Sequence, residues 1–176
     1  MATKIRDANR YGPLSEERLA KLESKLKARL PDDYRAFLLQ YNGGRPAPCR
    51  FTFAVEGEEQ ESILEWFFAL HDQPYEEDED WEPDASEGLP PYFAQSLEGV
   101  RKDCRSELPK AKVLPIGRDP SGNLVCLGYA GKWVGKVYLF DHEMERLVPL
   151  AGSFTEFLAG LSKLPSGDWA SWVIVG

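Results

Sequence analysis

Apolar positions recur along residues 14–42 with the period of a helix rather than a strand. Leu19, Leu22 and Leu26 form one apolar face among Lys, Arg and Glu, and Ser15 precedes them as an N-cap with Glu16 and Glu17 in the first turn. Leu14 and Leu19 stand at the two positions of a hydrophobic staple. Leu30-Pro31 ends this helix and opens a second, because proline suits a first turn. Tyr34, Phe37, Leu38 and Tyr41 then fall at i, i+3, i+4 and i+7, and Asn42-Gly43-Gly44 supplies residues suited to a left-handed C-cap.

The pattern changes after Gly44. Phe51 to Val55 predicts a strand, and the apolar, aromatic run Ile63 to Leu70 fits a strand better than a short helix. His71 to Gly88 reads as an acidic, proline-containing loop. Pro90-Pro91 predicts the first turn of a third helix with Phe93, Leu97, Val100 and Cys104 on its face, weakened by Gly99. Val113–Ile116, Leu124–Leu127 and Lys136–Phe140 read as strands. Asp119-Pro120-Ser121-Gly122 matches a type I turn position by position. Val137 to Phe140 has no polar face, which predicts an interior strand. Ser153 and Glu156 form a capping box for a last helix, with Phe154, Phe157, Leu158 and Leu161 as its stripe. The order predicts a single α+β domain over 1–176, with a mostly antiparallel sheet and helices packed against it. The tail, 165–176, holds two Trp and a Val-Ile-Val run that suit an extra strand or an oligomer contact.

Charge adds a feature that periodicity does not show. The net charge is −8, yet Phe51 to Val100 contains no Lys or Arg and carries 15 of the 29 acidic side chains. The rest holds 21 basic and 14 acidic residues, a net +7. An acidic middle repels nucleic acid and attracts a basic partner. No apolar run approaches the ~20 residues that span a bilayer. The N-terminal MATKIRDANR lacks an apolar stretch, which predicts no secretory signal. Cys49, Cys104 and Cys126 have no CxxC spacing, and an odd count of three fits a reducing cytoplasm better than a disulfide framework.

Few residues are candidates for chemistry. His142, between Asp141 and Glu143, could serve as a general base or metal ligand, or simply end a strand at a polar turn. The only other histidine is His71, and neither sits in a metal-binding spacing, so no metal and no cofactor are expected. Asp119 to Asn123 offers clustered oxygens but lacks the length and closing Glu of an EF-hand. No cysteine has a neighbouring histidine in sequence. The strongest binding candidate is Tyr75-Glu76-Glu77-Asp78-Glu79-Asp80-Trp81-Glu82-Pro83-Asp84, seven carboxylates around one Trp. Such a run is ordinarily a solvated loop, but Trp and Tyr are enriched at interface hot spots.

Three ordered motifs carry a family resemblance. The amphipathic helix followed by Leu30-Pro31-x-x-Tyr34-x-x-Phe37-Leu38 and Asn42-Gly43-Gly44 resembles the N-terminal signature of the SUKH superfamily, the bacterial immunity proteins related to fungal Smi/Knr cell-wall regulators. Leu114 to Asn123 with Leu124–Leu127 resembles its second motif, and Gly135 to Glu143 its third. The resemblance covers about residues 14–161, with the acidic loop, 71–88, where the family varies most. It implies an α+β fold, structural glycines at 43 and 44, and a non-enzymatic module that binds a toxin domain, often a nuclease or deaminase. The expected partner is a basic toxin domain, without direct contact to nucleic acid or membrane. The alternatives are a regulatory scaffold of the fungal kind and, from another class, a hydrolase using His142 with Asp141 or Glu143.

Overall fold

The computed structural model describes residues 3–72, 96–106, 108 and 110–164. Its elements run β1 (Lys4–Arg6), α1 (Glu16–Leu26), α2 (Asp32–Tyr41), β2 (Arg45–Ala47), β3 (Arg50–Val55), β4 (Glu58–Ile63), β5 (Trp66–Phe67), α3 (Leu97–Asp103), β6 (Val113–Arg118), β7 (Leu124–Gly128), β8 (Val137–Asp141), β9 (Arg146–Ala151) and α4 (Phe154–Gly160). Strands β5 to β9 form an antiparallel sheet in sequence order, and β1–β2 and β3–β4 are separate antiparallel pairs. The described residues thus have the α+β architecture that the element order predicts.

The first two helices form for the reasons their sequence gives. Ser15 Oγ accepts the Arg18 N–H at 3.2 Å, and Leu19, Leu22 and Leu26 are buried. In α2, Tyr34, Phe37 and Leu38 are buried in one core with Val137 and Leu139, and Tyr41 packs against it. Phe37 lies 4.8 Å from Phe67 and 5.0 Å from Phe154 between ring centroids, so α2, β5 and α4 meet in an aromatic cluster. Arg35 is also buried, held by Glu16 and Glu23 of α1. Glu23 in turn accepts the Leu30 N–H at 2.7 Å, so a single carboxylate fixes both the turn and the packing of the two helices.

The Asn-Gly-Gly stop has an architectural reason at each position. Asn42 adopts the left-handed conformation (φ 38°), and Gly43 and Gly44 continue with φ 87° and 115°. A Cβ on Gly44 would lie 2.6 Å from the Arg6 carbonyl oxygen, and one on Gly43 2.9 Å from that of Phe67. Gly44 and Phe67 exchange backbone hydrogen bonds at 3.1 and 2.8 Å.

Several elements differ from the sequence reading. Ile63 to Leu70 is not one strand: Ile63 ends β4 and Trp66–Phe67 form β5, while Leu64 and 66–70 are all buried, which explains the apolar, aromatic character of the run. The third helix starts at Leu97 rather than at Pro90-Pro91, because Ser96 is extended and its Oγ caps the Gly99 N–H at 3.0 Å. Phe93 and both prolines lie outside the described residues. Strand β4 has no signal in the sequence, since Glu58-Glu59-Gln60-Glu61 shows no apolar alternation. It forms because Glu56 and Gly57, both at positive φ, close a two-residue hairpin onto β3. Strand β9 is likewise additional to the strands that the sequence predicts. Its Pro149 is admissible because β9 is an edge. Strand β8 lies between β7 and β9 with Val137 to Phe140 all buried, as an interior strand requires. The last helix has its cap: Ser153 Oγ accepts the Glu156 N–H at 3.0 Å, while Glu156 reaches back to the Gly152 N–H at 2.9 Å, one residue earlier than in the usual box.

Candidate partner-binding surfaces

Residues 73–95 connect two anchored ends. Before them, His71 is buried and stacks on Tyr11 at 4.0 Å, and Asp72 is held by the Arg18 guanidinium of α1. That hydrogen-bonded pairing keeps the Asp72 carboxyl below the usual carboxylate range. After them, Leu97 N–H donates to Ala69 C=O at 2.8 Å, and Ser96 bridges Ala69. Departure and return therefore flank one buried segment, 66–71, at the edge of the main sheet. The connection between them carries eight carboxylates and no base. Tyr75, Glu76, Glu77, Asp78, Glu79, Asp80, Trp81, Glu82 and Asp84 all fall within it, outside the described residues, as does the tail 165–176.

The described part of the acidic middle is the β3–β4 hairpin. Glu56, Glu58 and Glu59 are exposed there. Glu61 pairs with Arg50 at 2.7 Å, and Glu56 stands 3.8 Å from Arg146. Glu58 and Glu59 make no ion pair among the described residues. Only the count of charge over Phe51–Val100 hinted at this second acidic surface, because no motif singles the hairpin out.

The geometry around His142 is that of a turn. Its backbone N–H and its ring Nδ1 both meet Asn123 Oδ1, at 3.2 and 2.9 Å. Asn123 is itself fixed by Asp119, whose Oδ1 accepts the Asn123 N–H at 2.8 Å and whose Oδ2 accepts Nδ2 at 3.0 Å. Ser62 Oγ adds a third donor to the buried Asp119 at 3.0 Å. The Asp119–Gly122 turn is present, with Gly122 N–H on Asp119 C=O at 3.2 Å, but the Asp119 side chain also holds β4 through Ser62 and orients Asn123, whose own side chain holds His142 at the start of the β8–β9 turn. Its oxygens face N–H and O–H donors, which accounts for the clustered oxygens without a cation.

The Asp141 carboxylate has other partners than the imidazole. It accepts the Met144 N–H at 3.1 Å and meets Arg146 Nε at 3.4 Å. His142 does share a cavity of about 240 Å³ with Cys104, Asp103 and Arg118, a proximity that sequence separation hides. No group of three or more His, Cys, Asp or Glu side chains suited to a metal occurs among the described residues. Nor is any helix among them long and apolar enough to cross a membrane. Burial pushes the Cys126 thiol far up and raises that of Cys49.

A helical pair stopped by Asn-Gly-Gly, an antiparallel meander and a closing helix define a class, and comparison with known proteins gives it a name. The chain belongs to the SMI1/KNR4 family (SUKH-1), whose model matches residues 13–160, from just before α1 to the end of α4. It is also similar to YokK, an uncharacterized SPbeta prophage-derived protein of Bacillus subtilis (strain 168). The two are 27% identical over 174 residues, covering 90% of this chain and 81% of the relative.

Proposed function

We propose that this chain is a non-enzymatic protein-binding module of the immunity type. It binds and neutralises a basic toxin domain in the cytoplasm, through the acidic and aromatic segment Tyr75–Asp84. The observation that carries this reading is the segregation of charge: eight carboxylates without a base lie between two anchored ends, in a chain otherwise rich in Lys and Arg. An acidic surface of this kind steers a basic partner and covers its face once docked. Membership of the SMI1/KNR4 family is compatible with such a role, and the turn geometry around His142 supports binding over hydrolysis.

The test is co-expression with the protein encoded beside this one. Restored growth and a stable co-purified complex are expected where the neighbour alone is toxic. Growth that stays arrested, with no complex formed, would reject the proposal.

A further inference from the structure

A second charged feature has the opposite sign. The C-terminal end of α1, the α3–β6 connection and the start of β6 enclose a cavity of about 450 Å³. Lys25, Lys27, Arg101, Arg105, Lys110 and Lys112 line it, and no carboxylate does among the described residues. Lys25 is paired with Glu98 at 2.7 Å. The other five make no ion pair among the described residues, in a chain whose net charge is −8. Two helices end here, and basic residues in a last turn answer the helix dipole. That accounts for Lys25 and Arg101. It does not account for Arg105, Lys110 and Lys112, which lie beyond α3 and before β6. Like charges gathered in a concave site repel one another, and field lines are focused there, so the site favours an anion that meets several cations at once.

We propose that this cleft binds a compact polyphosphate. Adjacent phosphates present many acceptor oxygens and dense negative charge in a small volume, which matches two guanidinium forks and several ammonium groups converging from three chain segments. The volume lies in the range of small-ligand sites rather than of a flat protein interface. Tyr129 lines the same cavity, and its N–H bonds Lys112 C=O at 2.9 Å, which places an aromatic side chain beside the cations. The phosphate chain could belong to a nucleotide, with Tyr129 against its base, or to an inorganic polyphosphate. This site is separate from the acidic segment and does not depend on the toxin-binding proposal.

The experiment is calorimetry on the full chain at about 50 mM salt, where surface electrostatics are only partly screened. The probes are inorganic tripolyphosphate and ATP. Saturable one-to-one binding is expected. The Arg105→Gln/Lys110→Gln/Lys112→Gln variant should bind at least about tenfold more weakly, since charge-assisted contacts are lost. Lys132→Gln/Lys136→Gln, altered elsewhere, should bind as wild type does. All three substituted cleft side chains are exposed, and circular dichroism checks that the variant is folded. Tighter binding of ATP, reduced to the tripolyphosphate value by Tyr129→Ala, identifies a nucleotide. Equal binding of the two probes identifies an inorganic chain. The proposal is overturned by absence of saturable binding, by equal losses in the cleft and control variants, or by tighter binding of a single-stranded oligonucleotide than of either probe.

Discussion

The Asn42 side chain holds the backbone of Leu70 by both of its polar groups. Its Oδ1 accepts the Leu70 N–H at 2.9 Å and its Nδ2 donates to the Leu70 C=O at 3.3 Å. The same Nδ2 donates to Gly12 C=O at 2.9 Å. One buried amide thus joins the end of α2 to the segment before α1 and to the last apolar residues before the acidic connection. Asn42→Ala leaves these backbone groups without their partner and should lower stability by about 2–4 kcal/mol in urea unfolding. Asn42→Gly keeps the left-handed backbone free of a Cβ and should still lose most of that amount. If Asn42→Gly were neutral, the conformation at this position would matter and the side-chain bonds would not.

Gly44 and Gly57 separate two reasons for glycine. Both have positive φ, but a Cβ on Gly57 would meet nothing within 4 Å, whereas one on Gly44 would strike the Arg6 carbonyl and Ile5. Gly57→Ala should cost about 1 kcal/mol, from backbone strain alone. Gly44→Ala adds a steric clash and should cost about 2–5 kcal/mol. It should also loosen β1 from β2, which limited proteolysis near residues 4–8 would detect. Equal midpoints for the two variants would contradict the close approach of β1 to Gly44.

Glu65 should make stability fall as pH rises. Burial raises its pKa, outweighing the attraction of Arg118 and Arg45, and Asp119 raises it further. The folded state therefore binds the proton more tightly than the unfolded chain. This favourable contribution is full below the ordinary carboxylate value and is lost as pH climbs through the raised one. Glu65→Gln removes the charge at nearly constant shape. It should raise the urea midpoint at neutral pH and flatten its change between about pH 4 and pH 7. A variant less stable than wild type at neutral pH would mean that the attraction to Arg118 wins.

What the sequence discloses depends on whether a contact leaves a local signal. Helices α1 and α2 were legible because Leu19, Leu22, Leu26 and Tyr34 to Tyr41 repeat with the helical period and have their own caps. Strand β8 was legible because a run without a polar face has to be interior. Strand β4 was not, because its side chains are largely exposed and only its backbone pairing to β3 makes it a strand. The start of α3 was misplaced because Pro90-Pro91 and Ser96 are both good start signals, and only the bond from Leu97 to Ala69 selects the second. The surfaces divide similarly. The acidic segment is contiguous, so counting finds it. The basic cleft gathers residues from 25–27, 101–105 and 110–112, and only folding brings them together.

The acidic segment gives two kinetic predictions that differ between its charges and its aromatic residue. Opposite charges hasten encounter, and the effect fades as salt shortens the Debye length to about 3 Å at 1 M. Replacing Glu76, Glu77, Asp78, Glu79 and Asp80 with Gln or Asn should slow association with the cognate toxin domain and flatten its salt dependence. Trp81→Ala should instead raise the dissociation rate, because an anchoring aromatic holds a complex after docking. Both variants should keep the wild-type unfolding midpoint, since the core of α1, α2, α4 and the sheet forms from other residues. Stopped-flow association at several ionic strengths reads the first effect, and dissociation after dilution reads the second. A five-fold neutralised variant that associates as fast as wild type at low salt would reduce the segment to a solubilising loop. In that event the exposed carboxylates Glu58 and Glu59 of the β3–β4 hairpin are the acidic groups to substitute next.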